Sequence, residues 1–139
     1  MLLPAILVGI GLAGTFDEVL MHQLLNWHHF YTDGESVEML TDGLFHIFST
    51  GALAAGLIML WRRGAAPDRL MWAGILIGAG GFNLLDGTVM HKLLDLHQIR
   101  EGEPTLVYDV VYIGSALAVL AAGLLLKRAA RPGASPTPR

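Results

Sequence analysis

The sequence predicts an all-α fold: an integral membrane four-helix bundle, built from two tandem helical hairpins with a pseudo-twofold axis along the membrane normal. Three observations carry this expectation. Hydrophobic residues make up 53% of the 139 positions and Asp, Glu, Lys and Arg only 15%, whereas a soluble domain is about a quarter charged. The few charges are bunched and leave four long apolar stretches, each near the roughly 17 to 25 residues that span a bilayer core. The first and third stretches, finally, share a pattern of ionisable residues. An ordinary soluble globule, a nucleic-acid binder and a disordered chain are thereby excluded, and these residues leave no room for a separate soluble catalytic domain. With no cysteine, the chain has no disulfide, iron–sulfur cluster or zinc–thiolate site.

The first span is expected from Leu2 to about Phe30, with Asp17 as its first charge. A secretory signal fits this segment poorly: no basic residue precedes the apolar run, and the run continues into a polar second half. It reads as a retained span. The second is expected from about Met39 to Trp61, interrupted only by Asp42 and His46. The third runs from about Leu70 to Leu96, uncharged until Asp86, and the fourth from about Leu106 to Leu126, with Asp109 near its start. These spans make a transmembrane domain of residues 1–128, with repeats at about 1–61 and 70–128, followed by a disordered cytoplasmic tail at 129–139.

Arg62, Arg63 and Arg69 lie in the second connection, and Lys127, Arg128, Arg131 and Arg139 follow the fourth span. Asp33, Glu35, Glu38, Asp95, Glu101 and Glu103 lie in the other two connections. The positive-inside rule therefore places both termini in the cytoplasm and the acidic loops outside. Short connections favour an antiparallel bundle. Gly9, Gly11, Gly14, Gly51, Gly56, Gly74, Gly78, Gly81 and Gly114 are expected to let helix backbones approach closely. The expected partners are the lipid bilayer and, as an open option, further copies of the chain; no nucleic acid is expected.

Phe16 to His29 reads FDEVLMHQLLNWHH, and Leu85 to Gln98 reads LDGTVMHKLLDLHQ. The matches pair Asp17 with Asp86, Met21 with Met90, His22 with His91, two leucines, and His28 with His97. Gly9 and Gly11 match Gly78 and Gly80 at the same offset, and Asp42 opens the second span as Asp109 opens the fourth. His46 has no such partner, because Ile113 stands at the corresponding place. A duplicated hairpin is the simplest account. Its pseudo-twofold axis would put equivalent residues at equal depth. His22, His46 and His91 would then meet in the outer half of the bundle. At about 100° per residue, Glu18, His22 and His29 share one helical face, while Asp17 with His28, and Asp86 with His97, fall on a second face well away from it.

A charge at the bilayer centre costs at least about 2.5 to 3.5 kcal/mol, so Asp17, Glu18, Asp42, Asp86 and Asp109 require protons, imidazolium partners or a metal cation. Imidazoles with carboxylates form a common shell for zinc, copper or iron, and a carboxylate behind a ligating histidine is the usual outer support. The expected metal ligands are His22, His46 and His91 with Asp42, Asp86 and Asp109, followed by Asp17, Glu18, His28 and His97. Haem held by His22 and His91 is the alternative cofactor. A proton- or ion-conducting bundle without metal is a further alternative, against which stand the inner halves of the first and third spans, polar only at Thr15 and Asn83. Whether the chain is an enzyme stays open. An open coordination position would suit redox or hydrolytic chemistry on a small or lipid-soluble molecule.

The strings FDEVLMHQLLNWHHF, DGLFHIF, DGTVMHKLLDLHQIR and YDVVY, in this order, resemble a widespread bacterial family of small four-span membrane proteins catalogued as a domain of unknown function. The resemblance rests on Asp42, Asp86, His22, His46, His91, His97 and Arg100 and covers roughly residues 5 to 125. It implies a four-span membrane protein and supplies no activity; taken with the positive-inside rule, the expected place is the bacterial inner membrane, with the site toward the outer side. Glu18 departs from the glycine usual in that family after the first Asp, which sets it apart from any shared site.

Overall fold

The computed structural model describes residues 1–31, 33–100 and 104–130. Glu101, Glu103 and most of the tail expected to be disordered, residues 131–139, lie outside the described residues. All regular structure among the described residues is helical. Helix α1 (Leu2–Asp17) continues into a π-helical segment, Glu18–Leu24; α2 spans Glu35–Arg62; α3 (Arg69–Leu85) continues into a second π-helical segment, Asp86–Leu93; and α4 spans Thr105–Ala129. Each of the four is long and apolar enough to cross a membrane. Asp68 caps α3 by accepting from the backbone N–H of Met71 at 2.7 Å, satisfying one of the donors that a helix start leaves open.

Backbones pack closely in the order α2, α1, α3, α4, so α1 and α3 form the middle and α2 and α4 expose most of their surface. Small residues set this order, as van der Waals packing must in a solvent with no hydrophobic drive between helices. A Cβ on Gly9 would strike the carbonyl of Ile75, and one on Gly78 would strike the carbonyl of Ile6. Gly11 lies against Leu53 of α2 in the way that Gly80 lies against Leu120 of α4. Gly56 meets Val8, and Gly123 meets Ile77. By contrast Gly51, Gly81 and Gly114 have nothing within 4 Å of such a Cβ, so only part of the small-residue pattern is used inside the bundle.

The first and third helices end earlier than their apolar runs suggest, and in the same way. In a π-helix each N–H bonds five residues back instead of four, as Leu25 does to Leu20 at 2.9 Å and Leu94 to Val89 at 2.8 Å. The wider turn carries residues five apart toward one face. Asp17 and His22, and likewise Asp86 and His91, are five apart; an α-helical count separates them, and the π turn brings them together. Asn26 (φ 51°) and Asp95 (φ 49°) then take the left-handed conformation, which Asn and Asp tolerate better than other side chains with a Cβ. These residues turn the chain back on itself, and the segments carrying His28 and His97 fold into the bundle instead of continuing outward.

Two pairs of substitutions test these arguments. Gly9→Ala is expected to destabilise the detergent-solubilised protein by about 1 to 3 kcal/mol, because backbone rather than a movable side chain must give way; Gly51→Ala should cost nothing. Asn26→Val should cost at least about 1 to 2 kcal/mol through its left-handed backbone, while Asn26→Gly should be tolerated. Thermal unfolding in one detergent compares all four.

Candidate metal centre

Where the two folded-back segments meet, they exchange hydrogen bonds. The Nδ1 of His28 lies 2.8 Å from the carbonyl oxygen of Ile99, and the Nδ1 of His97 lies 2.9 Å from that of Phe30. A carbonyl only accepts, so each Nδ1 must carry the hydrogen, and in the neutral ring Nε2 is left with a lone pair. His22 is held on the same side of its ring, Nδ1 donating to Asp42 Oδ1 at 3.0 Å.

These rings gather around one point. Centroids are 4.6 Å apart for His22 and His28, 5.0 Å for His28 and His97, and 4.3 Å for His91 and His97. All four rings are buried, as are Asp17 and Asp86. The Nε2 atoms of His22 and His28 and both ring nitrogens of His91 have no hydrogen-bond partner. Asp17 Oδ2 sits 3.4 Å from Nε2 of His22 and 3.9 Å from Nε2 of His28. On the other side, Asp86 Oδ2 is 3.1 Å from Nε2 of His91, and its Oδ1 is 4.0 Å from Nε2 of His97. Lone pairs thus face carboxylate oxygens in a buried space, an arrangement that requires a cation between them, either a proton or a metal. Ligand atoms of His28, His91 and His97 all lie within 4.8 Å of one another, and so do those of Asp17, His22 and His28.

The aromatic surroundings repeat as well. Phe45 of α2 stacks on His22 and Tyr112 of α4 stacks on His91, each at 5.8 Å. Only Tyr112 has a hydroxyl, which donates to Asp86 Oδ2 at 3.1 Å. Beyond the cluster, Arg100 lies over Trp27 at 5.2 Å and donates to the Tyr108 hydroxyl at 2.6 Å, tying the two folded-back segments together from outside. Trp27, whose ring also meets that of Tyr108 edge-on at 5.9 Å, belongs to this clasp.

Of the residues singled out in the sequence, the structure brings together His22, His91 and Asp86 with Asp17, His28 and His97. It does not bring His46 or Asp109 into the cluster. His46 is half-buried and lines a groove with Glu18, His22, His29 and Asp42, and Asp109 pairs with Lys92 at 2.7 Å. Lys92 thus neutralises one carboxylate of a candidate membrane span. Glu18 is only 1% exposed and lies 3.1 Å from His22 Nδ1. His28 and His97 read more simply as interfacial residues on continuous helices. Their central place could have been found from Asn26 and Asp95, helix-ending residues standing two positions before each histidine.

Burial, and after it the neighbouring His91, pulls the His97 imidazole down to about 4. Between pH 6.5 and 4 the unfolded chain therefore binds a proton at this site that the folded chain excludes, and stability rises with pH across that window. The metal-free protein is expected to lose thermal stability as pH falls from about 6.5 toward 4, and His97→Asn should remove part of that dependence in a melting series.

No curated protein and no solved structure shows significant similarity to the chain. Residues 4–130 match the family described as "Predicted membrane protein (DUF2243)", in agreement with the four apolar helices. The chain belongs to this family, as a membrane protein with a His/Asp cluster that could hold a metal.

Proposed function

We propose that the central cluster binds a transition metal, with His22, His28, His91 and His97 as nitrogen donors and Asp17 and Asp86 as carboxylate donors. The observation that carries this reading is the orientation of the rings. Each of His22, His28 and His97 is fixed through Nδ1 by a carbonyl or carboxylate, which leaves Nε2 toward the centre. A ligating histidine is commonly held in this manner, its second ring N–H donated to an acceptor that sets tautomer and orientation. Nitrogen and oxygen donors without thiolate suit zinc, iron or copper(II). Haem held by His22 and His91 fits less well, because the rings of His28 and His97 crowd these two, with centroids 4.6 Å from His22 and 4.3 Å from His91.

The repeated turns, glycine contacts and exchanged hydrogen bonds support an internal duplication, in which each hairpin brings one Asp and two His to a shared axis. The inner parts of α1 and α3 are closed by Ala5, Val8 and Ala73, which favours a pocket over a proton path. We place that pocket toward the outer side of a bacterial inner membrane, with both termini cytoplasmic, on the strength of the basic residues flanking α2, α3 and α4. An apolar groove of about 620 Å³ between α1, α2 and α3 ends at Asp86 and Met90. Bound metal would supply redox or Lewis-acid chemistry there, and the groove would admit a lipid-soluble molecule to it.

Elemental analysis of detergent-purified protein, native against His28→Ala/His91→Ala, tests the reading. About one or two equivalents of one metal are expected in the native protein, with one equivalent lost in the double variant, and retention should weaken as pH falls because the ligands must be deprotonated. A native protein that stays metal-free after soaking would overturn it, and a Soret band would replace it with haem.

A further inference from the structure

Around Asp42 and its counterpart Asp109 the two hairpins differ, and the difference has the form of a missing positive charge. With Asp86 set on Asp17, Lys92 falls on Gln23 and Gly87 on Glu18; with Tyr112 set on Phe45, Asp109 falls on Asp42 and Ile113 on His46. In the second hairpin the Lys92 ammonium sits 2.7 Å from Asp109 Oδ2. Gly87 leaves that place to the Tyr112 ring, which would meet any Cβ there. One carboxylate is thus answered by one lysine.

The first hairpin has two carboxylates and an extra imidazole in the same region, and Gln23 brings no charge. Gln23 Nε2 donates to Glu18 Oε1 at 3.0 Å. Glu18 Oε2, on a side chain 1% exposed, has no hydrogen-bond partner, and neither does the buried Nδ1 of His46. Both residues line an open groove of about 710 Å³ together with Asp42 and His29. Asp42 accepts from His22, His29 and the backbone N–H of Phe30, which fixes its carboxylate in place. Glu18 and Asp42 offer ligand atoms within 4.8 Å of each other and of His22. A single His22 N–H lies between them, 3.1 Å from Glu18 Oε2 and 3.0 Å from Asp42 Oδ1, and cannot satisfy both.

We propose that this groove is a second cation site, in which Glu18 and Asp42 take a divalent metal ion separate from the one assigned to the central cluster, with His46 lining the same groove. The Lys92 ammonium marks, in the other hairpin, the position such an ion fills. His22 stands between the two sites, its Nδ1 toward Glu18 and Asp42 and its Nε2 toward Asp17, so an ion in the groove lies at the entrance to the cluster. The chemistry is that of a borderline or hard cation, since carboxylate oxygens dominate the donor set.

Gln23→Lys provides the test, because it copies the second hairpin and supplies a tethered ammonium as competitor. Gln23 is exposed, which makes the change mild for folding. Chelator-treated native protein in detergent is titrated with Zn²⁺ by calorimetry, beside Gln23→Lys, the uncharged control Gln23→Met, and His28→Ala/His91→Ala. Native protein and Gln23→Met should take up about one equivalent more than Gln23→Lys, or bind it at least about tenfold more tightly. The His28→Ala/His91→Ala variant should keep that equivalent. If Gln23→Lys fails to fold, Glu18→Gln, which keeps shape and removes charge, should show the same loss. Isotherms of native and Gln23→Lys that superimpose would overturn the proposal, as would complete loss of zinc uptake in His28→Ala/His91→Ala. Uptake lost in Gln23→Lys but untouched by His28→Ala/His91→Ala would leave the groove standing and remove the central cluster as a metal site.

Discussion

The exchanged hydrogen bonds, His28 to the carbonyl of Ile99 and His97 to the carbonyl of Phe30, are the contact on which the rest of the site depends. They hold two irregular segments inside a helical bundle where backbone groups would otherwise lack partners. In lipid such backbone is tolerated only where protein surrounds it or a polar cavity receives it. They also fix the tautomer of both rings. A segment that must be held for backbone reasons thereby aims two imidazole lone pairs at the same space.

The π-helical turns before these segments serve the same end. A π turn sacrifices regular α-helical bonding and is frequently found at functional sites. Here it places Asp17 beside His22 and Asp86 beside His91 without displacing the glycine contacts that pack α1 on α3. Rigid packing at one end of the helices and irregular backbone at the other divide the molecule into a scaffold and a site. Gly9 and Gly78, each against a carbonyl of the facing helix, belong to the scaffold and lie well before the turns in sequence.

Charge governs what remains. Buried carboxylates beside imidazole lone pairs are costly unless a cation joins them, since breaking or omitting one partner leaves a charge without compensation in low dielectric. The second hairpin meets part of that requirement with Lys92 on Asp109 and with the Tyr112 hydroxyl on Asp86. The first hairpin has Phe45 in place of the tyrosine, Gln23 in place of the lysine, and Glu18 as a further acid. Similar halves thus carry unequal charge, and the excess of acid lies beside α2.

The sequence by itself determined the four spans, their close packing through glycine, and the pairing of Asp17 with Asp86, His22 with His91 and His28 with His97, because hydropathy and spacing are properties of the chain. It also pointed to His22, His91 and Asp86 as members of one site. Helical periodicity failed after Asp17 and Asp86, where a change of pitch and a left-handed residue redirect everything that follows. That is why the central places of His28 and His97, the removal of His46 to a groove and the pairing of Asp109 with Lys92 were decided only in the tertiary structure. A side chain's face can be counted along a regular helix, but the direction of a folded-back segment is set by what it packs against.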